Sequence, residues 1–204
     1  HAIGIDISEF NTLISNCKIS KYNMIELYNY INNITIALKN FLSDSKTLEF
    51  EEKLNEKLYN FNNKYFPSPD YKYLLNKGDI DEKTYPIEKE QEFLKIYQDL
   101  INEYKIELYQ DKQDTFLDKW YIKPIREEIE FVANEIKKIN DENIKNILII
   151  ILSRTMRSCR ATTHSDLATL KQPVYTPYYC YKHGKICKPL FSILKWWETY
   201  SKDT

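Results

Sequence analysis

Only three glycines, Gly4, Gly78 and Gly184, occur among the 204 residues. Average usage near 7% would give roughly fourteen. Tight phosphate-cradling loops need the backbone freedom of glycine, so three scattered ones exclude a complete GxGxxG or P-loop within this chain. The apolar spacing reads as helix. Ile25, Leu27, Tyr28, Ile31, Ile34, Ala37, Leu38, Phe41 and Leu42 recur at intervals of three and four within residues 21–63, the period of an amphipathic helix. A second helix is predicted from Leu48 to Phe61, after a break at residues 43–45. Residues 64–86, with Pro67, Pro69, Gly78 and Pro86, read as a connecting loop. Helical periodicity returns from Ile87 to about Tyr109 and breaks around 111–114. Pro124 suits the first turn of a helix over 125–139, and Asp141 caps one over 142–158. The apolar run Ile147–Leu152 could also form a strand, but its helical flanks favour a buried helix.

With 29% charged and 43% hydrophobic residues, the chain has the composition of a folded globular protein rather than a disordered one. Its longest apolar run is far short of the ~20 residues of a membrane-spanning helix, and no basic-then-apolar signal peptide opens it. The chain starts at His1, and residues 2–7 already read as a strand, so we expect a segment of a longer protein. The formal charge of −1 conceals an asymmetry: residues 153–204 carry net +6 and the remainder −7. A basic C-terminal module on an acidic body is a footprint for a polyanion, or else a set of solvated loop lysines.

Four cysteines do not make a disulfide scaffold. Three of them, Cys159, Cys180 and Cys187, fall in the last quarter together with His164 and His183, as reduced thiols gathered for a metal in a cytoplasmic setting would. Structural zinc takes four N or S ligands in a tetrahedron. Cys180 and His183 are spaced for one tight turn, and Gly184 gives that turn its freedom. Cys187 is the expected third ligand and Cys159 the fourth, with His164 as the alternative fourth, or else a residue that supports a ligand or contacts nucleic acid. No acidic general base accompanies the cluster as in HExxH, which disfavours a catalytic zinc. Arg154, Arg157 and Arg160 would fall along one side of a helix. Tyr175, Tyr178, Tyr179 and Tyr181 interleave with Lys171, Lys182, Lys185 and Lys188. Cations for phosphates beside flat rings for bases make a workable nucleic-acid surface, although each tyrosine could equally pack the module. The amphipathic tail 189–200 should dock Trp196 and Trp197 on the core.

Two stretches carry a resemblance. AIGIDIS at residues 2–8 resembles the segment after the glycine-rich motif of S-adenosylmethionine-dependent DNA methyltransferases of the amino-methylating (N4-cytosine or N6-adenine) type. LSRTMRSCRATTHSDLATLKQPVYTPYYCYKHGKICKPLFSILKWW, near the C-terminus, is similar to a cysteine-rich region of bacterial and archaeal DNA modification methylases. Together they cover about a quarter of the chain. The resemblance implies that Asp6, ending a cofactor strand, accepts the ribose hydroxyls of S-adenosylmethionine, with Ile7 beside the adenine. Asp6 as part of a strand-to-helix cap is the other reading of that residue.

The resemblance further implies a mainly α chain that is part of an α/β Rossmann-like methyltransferase. Residues 1–19 would be a partial cofactor-binding strand and helix, 20–152 a helical insertion, and 153–204 a basic Cys/His module with a C-terminal helix. The glycine-rich loop and the Asp/Ser-Pro-Pro-Tyr motif of the family are absent from this sequence, so the chain alone should be inactive. DNA is the implied partner, through Arg154, Arg157, Arg160, Lys182 and Lys185, and a restriction endonuclease fits beside it. A non-catalytic zinc-stabilised nucleic-acid-binding module is the alternative, and a purely structural helical protein the third reading.

Overall fold

The computed structural model describes residues 7–43, 45–112 and 114–203. They are mainly helical. In chain order they form α1 (Glu9–Ile19), α2 (Met24–Ser43), α3 (Thr47–Tyr65), α4 (Asp70–Lys77), α5 (Tyr85–Tyr104), α6 (Phe116–Trp120), α7 (Lys123–Lys137) and α8 (Glu142–Ser158). A hairpin of β1 (Tyr178–Cys180) and β2 (Lys185–Cys187) follows, and α9 (Leu194–Lys202) ends the order. The predicted strand rests mostly on residues 1–6, outside the described residues. Ile7 itself is a fully exposed bend. Among the described residues the hairpin is the only sheet, so a Rossmann-like sheet is not seen here.

The chain divides into two compact units, cut differently from the three segments expected. One combines His1–Phe41, Glu127–Ser158 and Ile193–Thr204. Ser8 caps α1 by accepting the Asn11 N–H at 3.4 Å, and Asp141 caps α8 by accepting from the Ile144 N–H at 2.9 Å. The α2 stripe Leu27, Ile31, Ile34 and Leu38 is buried, as are Ile144, Ile147, Leu148, Ile151 and Leu152 of α8. The Ile147–Leu152 run is therefore helix. On α9, Trp197 is fully buried and its indole N–H donates to the Thr35 hydroxyl at 2.9 Å. Trp196 is half-buried and stacks on Tyr200. Glu128, buried on α7, accepts the Ile193 N–H just before α9 at 2.7 Å.

The other unit combines Leu42–Arg126 and Cys159–Ser192. Here α3 and α5 bury an aromatic core: Phe50 meets Phe191 edge-on at 4.8 Å, and Phe61 meets Phe93 at 5.0 Å. Residues 64–86 are not all loop. Pro67 and Pro69 precede a helix instead of interrupting one, and α4 runs free of proline and glycine until Gly78, at φ +80°, closes it. Helix α5 begins at Tyr85 with Pro86 in its first turn, where the missing proline N–H costs nothing. Lys105, left-handed at φ 55°, ends it earlier than the apolar spacing predicts. The break near residue 112 is followed by the short α6, held by a reciprocal Thr115–Asp118 capping box.

Candidate metal centre and basic surface

A lone two-stranded hairpin is marginally stable in water, and its outer edges leave backbone groups unpaired. Here both edges are closed by helix side chains. The pairing register sets Tyr179 opposite Ile186. On the β1 edge the Tyr179 N–H donates to Glu90 of α5 at 2.7 Å. On the β2 edge Asn62 of α3 makes a two-point clasp. Its amide donates to the Ile186 carbonyl at 2.9 Å, and its oxygen accepts the Ile186 N–H at 3.0 Å. Lys188 adds an ion pair to Glu51 of α3. The hairpin is thus held from two helices.

The turn between the strands is fixed by its own backbone. The N–H groups of His183 and Gly184 both donate to the Cys180 carbonyl, at 3.0 and 2.7 Å. Gly184 sits at φ +62°, a conformation costly for residues with a Cβ. This geometry gathers His164, Cys180, His183 and Cys187, whose ligating atoms all lie within 4.8 Å of one another. The Cys180 sulfur is 3.7 Å from His164 Nδ1 and 3.5 Å from His183 Nδ1, and His183 Nδ1 is 3.4 Å from the Cys187 sulfur. Both thiols are buried, while both imidazoles reach the surface. Burial and the neighbouring Cys180 push the Cys187 thiol up to about 12. Burial, then the nearby His183 and Lys182, lowers the His164 pKa and favours its neutral form.

Cys159, expected as the fourth ligand, is not in the group. It follows α8, is buried, and exerts its electrostatic effect on Tyr121. His164 stands in its place, tied to the hairpin by Tyr178. The Tyr178 hydroxyl accepts the His164 backbone N–H at 2.9 Å and lies 2.8 Å from His164 Nδ1. The sequence marks Tyr178 only as one of the tyrosines interleaved with lysines, and it marks neither Asn62 nor Glu90. Asn62 and Glu90 occupy positions that look like solvated helix faces.

The three arginines do not share one helix. Arg154 and Arg157 are exposed on α8, which ends at Ser158. Arg160 lies beyond it, in the other unit. Arg154 covers the Tyr200 ring at 4.3 Å and pairs with Asp203 at 3.7 Å. Arg160 is half-buried over Phe116. Lys182 and Lys185 are exposed in and beside the hairpin turn. Of the four interleaved tyrosines, three are engaged internally: Tyr175 donates to the Lys119 carbonyl, Tyr178 meets His164, and Tyr179 meets the Tyr71 hydroxyl. Tyr181 is 70% exposed beside the two lysines.

Along its whole length the chain aligns, at 42% identity over 209 residues, with the Type II methyltransferase M.MjaII of Methanocaldococcus jannaschii. The chain is a relative of a type II methyltransferase. The resemblance read at the two ends of the sequence therefore extends through the helical middle, which carries no motif of its own. The chain spans 39% of the length of that relative. No family model matches it, and no solved structure does. Among the described residues no helix is long and apolar enough to cross a membrane.

Proposed function

We propose that the chain is part of a site-specific DNA methyltransferase that moves a methyl group from S-adenosylmethionine to an exocyclic amino group of adenine or cytosine. The whole-chain match to a type II methyltransferase carries this reading. In it, Asp6 accepts the cofactor's ribose hydroxyls and Ile7 lies beside the adenine. Asp6 is outside the described residues. Ile7 is fully exposed just ahead of the Ser8 cap, which leaves it open to an aromatic ring. S-adenosylmethionine supplies the electrophilic methyl group. The part of this chain is to hold one edge of that cofactor and to grip DNA whose target base is turned out of the stack.

The DNA-facing residues in this reading are Arg154, Arg157, Lys182 and Lys185, with Arg160 contributing less because it is half-buried where they are exposed. Their exposure, together with exposed Tyr181, supports contact with phosphates and bases. Zinc belongs to the same reading as a structural ion in the Cys/His group. A restriction endonuclease of the same specificity is the implied partner, and the cytoplasm the implied location.

The test uses the complete protein, isotopically labelled S-adenosylmethionine and duplex DNA, with the product digested to nucleosides. Label in N4-methylcytosine or N6-methyladenine is expected, and Asp6→Ala should weaken cofactor binding in equilibrium dialysis. Label in 5-methylcytosine, or none, overturns the amino-methylating reading. DNA binding without methyl transfer would replace it with a zinc-stabilised binding module.

A further inference from the structure

We propose that His164, Cys180, His183 and Cys187 form a closed His2Cys2 zinc centre, with His164 and not Cys159 as the fourth ligand. This deepens the metal part of the reading above, and its test does not depend on methylation. A tetrahedral zinc with bonds of about 2.3 Å to sulfur and about 2.0–2.1 Å to nitrogen sets its ligand atoms roughly 3.3–3.8 Å apart. The three sulfur–nitrogen separations given by the fold, 3.7, 3.5 and 3.4 Å, match three of the six edges of such a tetrahedron. The whole group lies within 4.8 Å, and His164 Nδ1 would exchange its 2.8 Å contact with the Tyr178 hydroxyl for the ion.

The chemistry of the donor set agrees with the geometry. Two thiols and two imidazoles, with no carboxylate in the group, suit zinc better than magnesium or calcium, which prefer oxygen ligands. Four protein ligands leave no open position for water, which marks a structural site rather than a catalytic one. The buried thiols form its floor, and the two exposed imidazoles close it from the solvent side.

The backbone decides between His164 and Cys159. Two residues after Cys159, the Ala161 N–H donates to the Trp120 carbonyl at 2.8 Å and the Ala161 carbonyl accepts the Val174 N–H at 2.8 Å. These bonds hold the segment beside α6, and Cys159 is not among the ligand atoms that lie close together. His164, three residues further on, is already delivered by Tyr178. The imidazole rings of His164 and His183 meet edge-to-face at 4.5 Å. The ion would clip the segment after α8 to the β1–β2 turn, and so set how Tyr181, Lys182 and Lys185 are presented.

Cobalt(II) substitution of the full chain tests the ligand set. One ion per chain is expected, in a tetrahedral visible spectrum whose charge-transfer absorbance is that of two thiolates. Cys159→Ser should leave stoichiometry and spectrum unchanged. His164→Ala and Cys180→Ser should each weaken zinc at least ~100-fold, since loss of a ligand exceeds the 10- to 100-fold cost of losing a group that supports one. A three-thiolate spectrum, loss of the ion in Cys159→Ser, or no stoichiometric ion overturns the assignment. The spectrum of the unsubstituted chain and the Cys159→Ser arm remain decisive if His164→Ala fails to fold.

Discussion

Replacing Asn62 with alanine should loosen the hairpin without touching any proposed metal ligand. The side chain bonds both backbone groups of Ile186, at 2.9 and 3.0 Å, and Ile186 is fully buried. A net hydrogen bond contributes about 0.5–1.5 kcal/mol, but a buried group left without its partner costs about 1–3 kcal/mol. Two such groups in a part-buried contact place the loss at roughly 2–4 kcal/mol, or about 30- to 1000-fold in the opening equilibrium. Amide hydrogen exchange reads that equilibrium directly when opening and closing are fast. The Ile186 N–H of metal-free Asn62→Ala should lose protection by that factor, while amides in the middle of α3 keep theirs. Asn62→Asp should do at least as much damage, because it sets a carboxylate against the Ile186 carbonyl. Unchanged exchange at Ile186 would refute the idea that α3 closes this edge.

Three further outcomes are expected. Zinc loading at neutral pH should release at least one proton from Cys187, because a thiol pushed up to about 12 is protonated there and only the thiolate binds. Affinity should thus rise with pH by at least about tenfold per unit, and calorimetry in buffers of different ionisation enthalpy counts the protons. Charge reversal at Lys182 and Lys185 in the complete protein should weaken DNA binding and flatten the slope of log affinity against log salt by about 2, as fluorescence anisotropy would show. Thr35→Val removes the acceptor of the buried Trp197 indole N–H and should cost about 1–3 kcal/mol. That loss would appear as a lower denaturation midpoint of the unit containing α2 and α9.

The long helices were legible because packing needs the same apolar period that the sequence displays. Helices α2, α3 and α8 fall within a few residues of their expected spans. Helix α4 was hidden because prolines beside a helix resemble prolines in a loop. The strands of the hairpin are three residues each, too short for an alternating pattern to register. The close spacing of Cys180, His183 and Cys187 made those three readable as a group, since a local turn brings them together. His164 was readable only as an alternative to Cys159, because backbone bonds between Ala161, Trp120 and Val174 decide the choice, and no spacing encodes them. The arginine stripe assumes one helix through Arg160, whereas α8 ends at Ser158.

Neither compact unit is contiguous in sequence. The unit holding α8 needs segments before residue 42 and after residue 192, and the other is interrupted by Glu127–Ser158. Pairings of such long sequence separation pay their loop-closure entropy before any contact rewards it. During synthesis, α2 and α8 would leave the ribosome with apolar faces exposed and wait for Trp197 before the core they share with α9 could close. Helix α9 therefore sets the timing of that unit's assembly, and a chain truncated before Ile193 should populate aggregation-prone intermediates.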